Sequence, residues 1–192
     1  MILPWFQSQA SLTNFVADLI MAELAAIRPS STLSLSMLDD AENAFSDSNL
    51  QLDSLELMAL SIALSRAIHF DESHIDNNLF SYPTFANWLA ISYKSLIAFS
   101  QSITFKTSGS VGTNKHYRHE IAQLEQEAQY LGQLFKGRRR ILSAVPSHHI
   151  YGFIWTVLLP RYLGPLIPVI DIRGISSNAL QSVLKSGDLI IA

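Results

Sequence analysis

The 192-residue sequence contains no cysteine. Disulfides, thiolate zinc sites and thiol nucleophiles are therefore excluded, although the compartment is not fixed by this alone. Charge is sparse. Only 15% of residues are charged against 48% hydrophobic, a globular composition long enough for one or two domains. Basic residues are scarce at first: residues 1–98 hold three against eleven acids, whereas residues 99–192 hold ten against five. An acidic stretch followed by a basic one argues for two modules, and the basic one suits an anionic ligand such as a nucleotide. No nucleic-acid partner is expected. The run Arg138-Arg139-Arg140 is short and falls at a helix-to-strand turn, where a solvated face is the default. The opening Met-Ile-Leu-Pro-Trp-Phe lacks a basic region and a signal-like apolar core, so a cytoplasmic protein is expected. Residues 150–170 are apolar enough to suggest a membrane span. Pro160, Arg161, Pro165 and Pro168 break that run, and no span is expected.

The first module reads as helices. Ser11 can cap a helix through about Ile27, with Leu12, Phe15, Val16, Leu19, Ile20, Leu24 and Ile27 on one face. Residues 30–52 read as a long loop anchored by Leu33, Leu35, Met37 and Phe45. Asp53 or Ser54 starts a second helix, with Leu57, Leu60, Leu64 and Ile68 at helical spacing. After a short connection, Pro83 falls in the first turn of a last helix carrying Phe85, Trp88, Leu89 and Ile91. A small bundle with one long loop results. Leu52-Asp53-Ser54-Leu55-Glu56 places a serine at a helix start, where the dipole favours an attached phosphate. The plainer reading is that Ser54 only caps its helix.

The second module turns on residues 103–115, Ile-Thr-Phe-Lys-Thr-Ser-Gly-Ser-Val-Gly-Thr-Asn-Lys. A β-type run enters a loop with Gly109 and Gly112. Lys115 closes it, and a helical pattern follows, with His116 and His119 at its start. Strand, small hydroxyl-and-glycine loop, lysine and helix suit phosphate: backbone N–H groups converge, and the lysine and helix dipole add positive charge. The spacing is wrong for a Walker A loop and for a dinucleotide fingerprint. A polar turn is the alternative. Beyond it, Ile121, Leu124, Ala128, Leu131 and Phe135 form an apolar helical stripe that Gly137 stops. Residues 141–145 and 188–192 and the run 166–170 read as strands. Residues 153–163 read as helical, and a helix opened by Ser177 or Asn178 is closed by Gly187. Such alternation implies an α/β layer with mainly parallel strands, whose ligands bind beyond the strands' carboxyl ends. Both 107–115 and 146–153 are expected there.

Two resemblances follow. Residues 9–93 resemble acyl and peptidyl carrier domains, on Asp53-Ser54-Leu55, Phe45 before it, and the segment 79–89. Gln51 departs from the carrier's usual glycine two residues before the aspartate. The resemblance implies that Ser54, beside Asp53, receives 4′-phosphopantetheine from a phosphopantetheinyl transferase. The face next to Ser54 is mostly Leu55, Met58 and Ile62, with Glu56 and then Arg66. That suits a partner already nearby rather than long-range steering.

Thr107, Ser108, Gly109, Ser110, Gly112 and Lys115 match the phosphate loop of AMP-forming acyl and aryl synthetases, with Val111 and Asn114 replacing its threonine and proline. Residues 146–153, Pro-Ser-His-His-Ile-Tyr-Gly-Phe, match a second signature of that class at His149, Tyr151, Gly152 and Phe153. The resemblance implies ATP or AMP with Mg2+, a carboxylic-acid substrate, and His149 near the activated carboxylate. A metal pair at His148 and His149, a condensing-enzyme His-His and a structural histidine are the alternatives. No metal site of the protein's own is expected. The reading is α plus α/β: a four-helix carrier-like bundle (9–93), a linker (94–101) and a partial AMP-binding domain (102–192). A second chain could complete the latter. A carrier-only module with a non-catalytic ligase remnant is the other reading.

Overall fold

The computed structural model describes residues 2–75, 79–107, 115–164 and 167–192. The chain divides into two compact units, Phe6–Ile121 and Met1–Trp5 with Ala122–Ala192. The class is α plus α/β, as the sequence implies, with helices in the first unit and a small parallel sheet in the second.

In the unit Phe6–Ile121, α1 (Gln9–Ile27) is capped by Ser8 rather than Ser11. The Ser8 hydroxyl accepts the Ser11 N–H at 3.2 Å. Helix α1 is long and apolar enough by length and composition to cross a membrane, yet eight of its residues, including Phe15, Val16, Ile20 and Leu24, are buried in the protein. A 3-10 turn, Leu35–Leu38, interrupts the long loop. Of the expected anchors Phe45 is buried, but Leu35 is exposed. The loop is held instead by Leu38, Leu50 and Leu52, because the turn ends inward on Leu38. Phe45 donates its N–H to Pro83 and meets Trp88 edge-on at 5.0 Å.

Helix α2 (Ser54–Ile68) buries Leu60, Leu64 and Ile68, and the one-turn α3 (Phe70–Ser73) buries Phe70. Helix α4 (Phe85–Ala98) starts at Thr84, whose hydroxyl accepts the Asn87 N–H, so Pro83 precedes the cap rather than occupying the first turn. The unit thus has helices of 19, 15 and 14 residues and one short helix. Residues 94–98, read from sequence as linker, continue α4. They contain neither glycine nor proline, and Ser95 and Leu96 stay buried.

The expected helix after Lys115 is corrected. β1 (Ser102–Thr107) pairs antiparallel with β2 (Lys115–Glu120), in the register Lys106 to His116, Phe105 to Tyr117 and Thr104 to Arg118. Helix α5 (Ile121–Leu134) begins only afterwards. The apolar stripe starts at Ile121, and residues 115–120 have no helical face to bury, so cross-strand pairing decides their conformation. The hairpin lies in the helical unit, and the division falls at Ile121 rather than at 94–101. Polar contacts tie it there. Lys106 Nζ reaches both Glu23 oxygens at 2.7 and 2.8 Å. Arg118 forms a fork with Glu72 at 2.5 and 3.1 Å. Arg66 and His116 meet at 3.3 Å. His69, in a left-handed conformation, lies between Glu72 (Nδ1, 3.1 Å) and the Thr104 hydroxyl (Nε2, 3.1 Å). A neutral imidazole donating from Nδ1 and accepting at Nε2 satisfies both.

In the other unit, β3 (Arg140–Ser143) is central between β4 (Val169–Asp171) and β5 (Asp188–Ile191), all parallel. One face carries Ile141, Leu189 and Ile191 onto Leu159, with Leu131, Phe135 and Trp155 around them. Arg140 forks onto Asp188 across the strand pair at 2.7 and 2.5 Å. Helix α8 (Ser177–Val183) ends before Gly187. That glycine instead makes the turn into β5 at φ +90°. After β3 come α6 (Ile150–Gly152), a π-helical turn (Phe153–Leu158) and α7 (Pro160–Leu163). Leu159 N–H bonds to Ile154 O, five residues back, at 2.8 Å. Pro160 has no N–H and its ring crowds the preceding turn, which the wider π turn accommodates. At Gly152 an added Cβ would lie 1.9 Å from the Pro146 carbonyl oxygen.

Two outcomes follow from this packing. Gly152→Ala forces the backbone at Pro146 to move and should destabilise the protein by about 1–3 kcal/mol or more, measured by urea unfolding. Burial and the nearby Arg118 lower the His69 pKa. Burial, Arg66 and Lys106 lower that of His116. As the pH falls below about 6.5 the unfolded chain therefore binds more protons than the folded one, and stability falls until the folded imidazoles are protonated too. The thermal midpoint should drop over that window, and the drop should be reduced in His69→Gln and further in His69→Gln/His116→Gln.

Candidate functional site

The start of α2 is built from backbone N–H groups that need acceptors. Asp53 Oδ1 accepts Leu55 N–H at 2.8 Å and Glu56 N–H at 2.9 Å, and Glu56 Oε2 accepts Asp53 N–H at 3.0 Å. This reciprocal capping box fixes the turn on both sides of Ser54. Capping is therefore the work of Asp53. Ser54 is the first helical residue and is exposed. Exposed side chains continue along the same helix at Leu55 (75%), Met58 (47%) and Ile62 (50%).

Glu56 is nearly buried and does not contribute an acid to that face. Arg28, at the carboxyl end of α1, meets it at 2.5 Å through Nε and again through a terminal nitrogen. The Arg28 hydrogen bond holds the Glu56 carboxyl below its usual range despite burial, and Glu56 raises Arg28 in return. The same guanidinium donates to the carbonyls of Leu50 at 2.9 Å and Gln51 at 3.2 Å. Arg28 was not singled out by the sequence. The available signal was its rarity, one of three basic residues among eleven acids in 98 positions.

Of the phosphate-loop residues, Ser108, Gly109, Ser110 and Gly112 lie outside the described residues. Thr107 and Lys115 are described. They face each other as the last register pair of the hairpin, and the Thr107 hydroxyl points to the Lys115 carbonyl at 3.5 Å. Lys115 is exposed and opens strand β2, so no helix terminus stands behind it. The loop joins antiparallel strands instead of following a parallel one. Asp53, Ser54, Thr107 and Lys115 all belong to the helical unit.

His149 belongs to the other unit and does follow a parallel strand, β3, at its carboxyl end. It is exposed, with extended backbone, and its carbonyl accepts Phe153 N–H at 2.7 Å. Its ring centroid lies 4.0 Å from that of His148, the two planes tilted by 43°. Tyr151, half-exposed, lies 5.9 Å from Trp155, which packs edge-on against Phe135 at 5.3 Å. This aromatic group beside the histidines was legible only as helix spacing. Among the described residues, no three His, Asp or Glu side chains converge as a metal cage would require.

No family model and no solved structure matches the chain. Curated relatives do. It is 30% identical over 151 residues to 4-coumarate–CoA ligase of Cereibacter sphaeroides, covering 76% of this chain and 36% of that protein. It is 32% identical over 133 residues to 4-coumarate–CoA ligase of Halorhodospira halophila, covering 67% and 34%. The enzyme of the same name from Rhodobacter capsulatus is 27% identical over 155 residues, covering 76% and 40%. A match spanning 76% of the chain necessarily crosses α2 with Asp53 and Ser54, and reaches the second unit. The chain is thus similar to 4-coumarate–CoA ligases over two thirds to three quarters of its own length, and spans between a third and two fifths of theirs.

Proposed function

We propose that this chain is a carrier module joined to the amino-terminal part of an adenylate-forming ligase, working on a carboxylic acid of the aromatic type named in its relatives. The observation that carries the reading is the exposed Ser54 at the capped start of α2, in a chain similar to CoA ligases across that helix. The geometry fits a covalent phosphodiester: Asp53 takes the capping role, leaving the Ser54 hydroxyl accessible, and the helix N-terminus favours the added negative charge. A phosphopantetheinyl transferase would join Ser54 Oγ to the β-phosphate of CoA and release adenosine 3′,5′-bisphosphate. When bound, 4′-phosphopantetheine supplies a thiol on a flexible arm, at an effective concentration of roughly millimolar order.

Lys115 and Thr107, with Ser108, Gly109, Ser110 and Gly112, are proposed to bind the phosphates of ATP together with its Mg2+. His149 is proposed to act beside the carboxylate as it attacks the α-phosphate, forming an acyl-adenylate and releasing pyrophosphate. Tyr151 and Trp155 offer aromatic surface near it. A second polypeptide that completes the ligase domain is part of the same proposal, since the chain spans 34–40% of its relatives' length. The amino-to-carboxyl order of modules, 9–93 then 102–192, and a cytoplasmic location belong to the same proposal. One observation favours the carrier-only reading: Lys115 opens strand β2 rather than a helix.

Incubation with CoA and a broad-specificity phosphopantetheinyl transferase should add one pantetheine phosphate by intact mass, and Ser54→Ala should abolish the gain. An unmodified, well-folded wild type overturns the carrier reading. ATP titration by calorimetry should show binding that Lys115→Ala weakens by about ten- to a hundredfold, the loss of one charged hydrogen bond. The isolated 192-residue chain should show only background carboxylate-dependent pyrophosphate exchange. ATP that does not bind at all decides for the carrier-only module.

A further inference from the structure

The turn that delivers Ser54 contains a residue of the wrong type for its backbone. Gln51 has φ +46°, in the left-handed region. That conformation costs an ordinary L-residue roughly a factor of ten in population, whereas glycine enters it freely. No side chain of Gln51 is needed to explain its placement. Its backbone is held from outside. The carbonyls of Leu50 and Gln51 both accept hydrogen bonds from Arg28, at 2.9 and 3.2 Å. The remaining donors of that guanidinium engage both oxygens of Glu56, and Glu56 in turn accepts the Asp53 N–H. One planar cation therefore grips residues 50, 51 and 56, on both sides of Ser54. It does so from α1, a separate element fixed in the core by Phe15, Ile20 and Leu24.

We propose that Arg28 is a positioning residue for modification at Ser54: its fork holds the glycine-less turn in the left-handed conformation that presents the serine. The inference rests on the reading of Ser54 as the attachment site. Arginine is suited to this and lysine is not. The work needs at least four directed N–H donors in a plane, which a single ammonium on a flexible stem cannot aim at two carbonyls and a carboxylate together. The clamp also consumes the charge of Glu56, so the exposed face beyond Ser54 remains Leu55, Met58 and Ile62, which the clamp does not touch.

The test uses the full chain and four variants: Arg28→Ala, Arg28→Lys, Gln51→Gly and Arg28→Lys/Gln51→Gly. Phosphopantetheine transfer from CoA is followed at varied carrier concentration. Arg28→Lys should lower kcat by roughly tenfold, the order of one charge-assisted contact, and leave KM within about twofold because the docking face is intact. Gln51→Gly alone should be near wild type. The double variant should recover most of the lost kcat, because glycine no longer needs the clamp. Because glycine at a positive φ also relieves strain in the fold itself, urea unfolding of all four variants is measured alongside, and kcat is compared where each is fully folded, so that a loss of stability alone does not move it. Unchanged kcat in both Arg28→Lys and Arg28→Ala, or a double variant no better than Arg28→Lys, overturns the proposal. Backbone chemical shifts of Gln51–Glu56 in the same variants give a readout that needs no modification. Left-handed shifts at Gln51 should be lost in Arg28→Lys, and those at residue 51 of the double variant should match Gln51→Gly. If the wild type is never modified yet the shifts behave so, the attachment reading fails and the clamp stands. If the wild type is modified and the shifts do not respond to Arg28, the clamp alone fails.

Discussion

A buried carboxylate needs a partner, even at the first turn of a helix, where the dipole favours its charge. Glu56 is in that position, nearly buried one residue beyond the exposed Leu55. Its two oxygens are taken by the Arg28 fork and the Asp53 N–H. Removing one partner of such a pair leaves an uncompensated charge, whereas the intact set orders everything it touches. What it touches is the junction of α1, the last turn of the long loop, and α2. From there α2 carries consequences in two directions. Its first turn presents Ser54, and its last turn supplies Arg66 and His69, which hold the β1–β2 hairpin. The serine and the hairpin are therefore tied to one rigid element of 15 residues, about 22 Å long.

The hairpin's attachment differs in kind from the packing of the α/β unit. Lys106 with Glu23, Arg118 with Glu72, and His69 with Thr104 are polar ties on a half-exposed surface. Each such tie contributes little when exposed and is weakened by salt. Their value is directional: they add to the buried face of β1, Ile103 and Phe105, a set of fixed contacts on its polar side. In the α/β unit the order is reversed. Ile141, Leu159, Leu189 and Ile191 supply non-directional burial, and the fork of Arg140 onto Asp188 pins β5 against β3.

Periodicity revealed α1, α2, α4 and α5 because each has an apolar stripe that survives into the packed structure, as at Leu60, Leu64 and Ile68. The strands at 140–143 and 188–191 were legible for a similar reason, being short apolar runs between turn residues. Lys115–Glu120 was not. Its residues are polar on both faces, so no burial pattern marks it, and only its partner β1 makes it a strand. The change in charge near residue 99 does not coincide with the division into compact units, which follows contacts that the hairpin makes with preceding helices. At Ser54 the short motif located the helix start and its cap. The clamp from Arg28 was invisible because a contact between residues 28 positions apart leaves no local pattern.

Two tight places among the described residues, Gly152 and Gln51, are solved by opposite means, and each solution says what its surroundings can supply. At Gly152 the backbone is ordinary helical, but Pro146 approaches so closely that no side chain fits, so absence of a Cβ is the only remedy. At Gln51 there is room for a side chain, but the backbone itself lies in an unfavourable region. That cost is one of torsion rather than collision, and hydrogen bonds to the adjacent carbonyls can offset it. A steric demand fixes the residue at the site itself. A torsional demand can be met by a residue elsewhere, provided an element such as α1 delivers it with all its donors aimed. The turn before Ser54 is of the second kind, and so its conformation is set by Arg28 as much as by its own sequence.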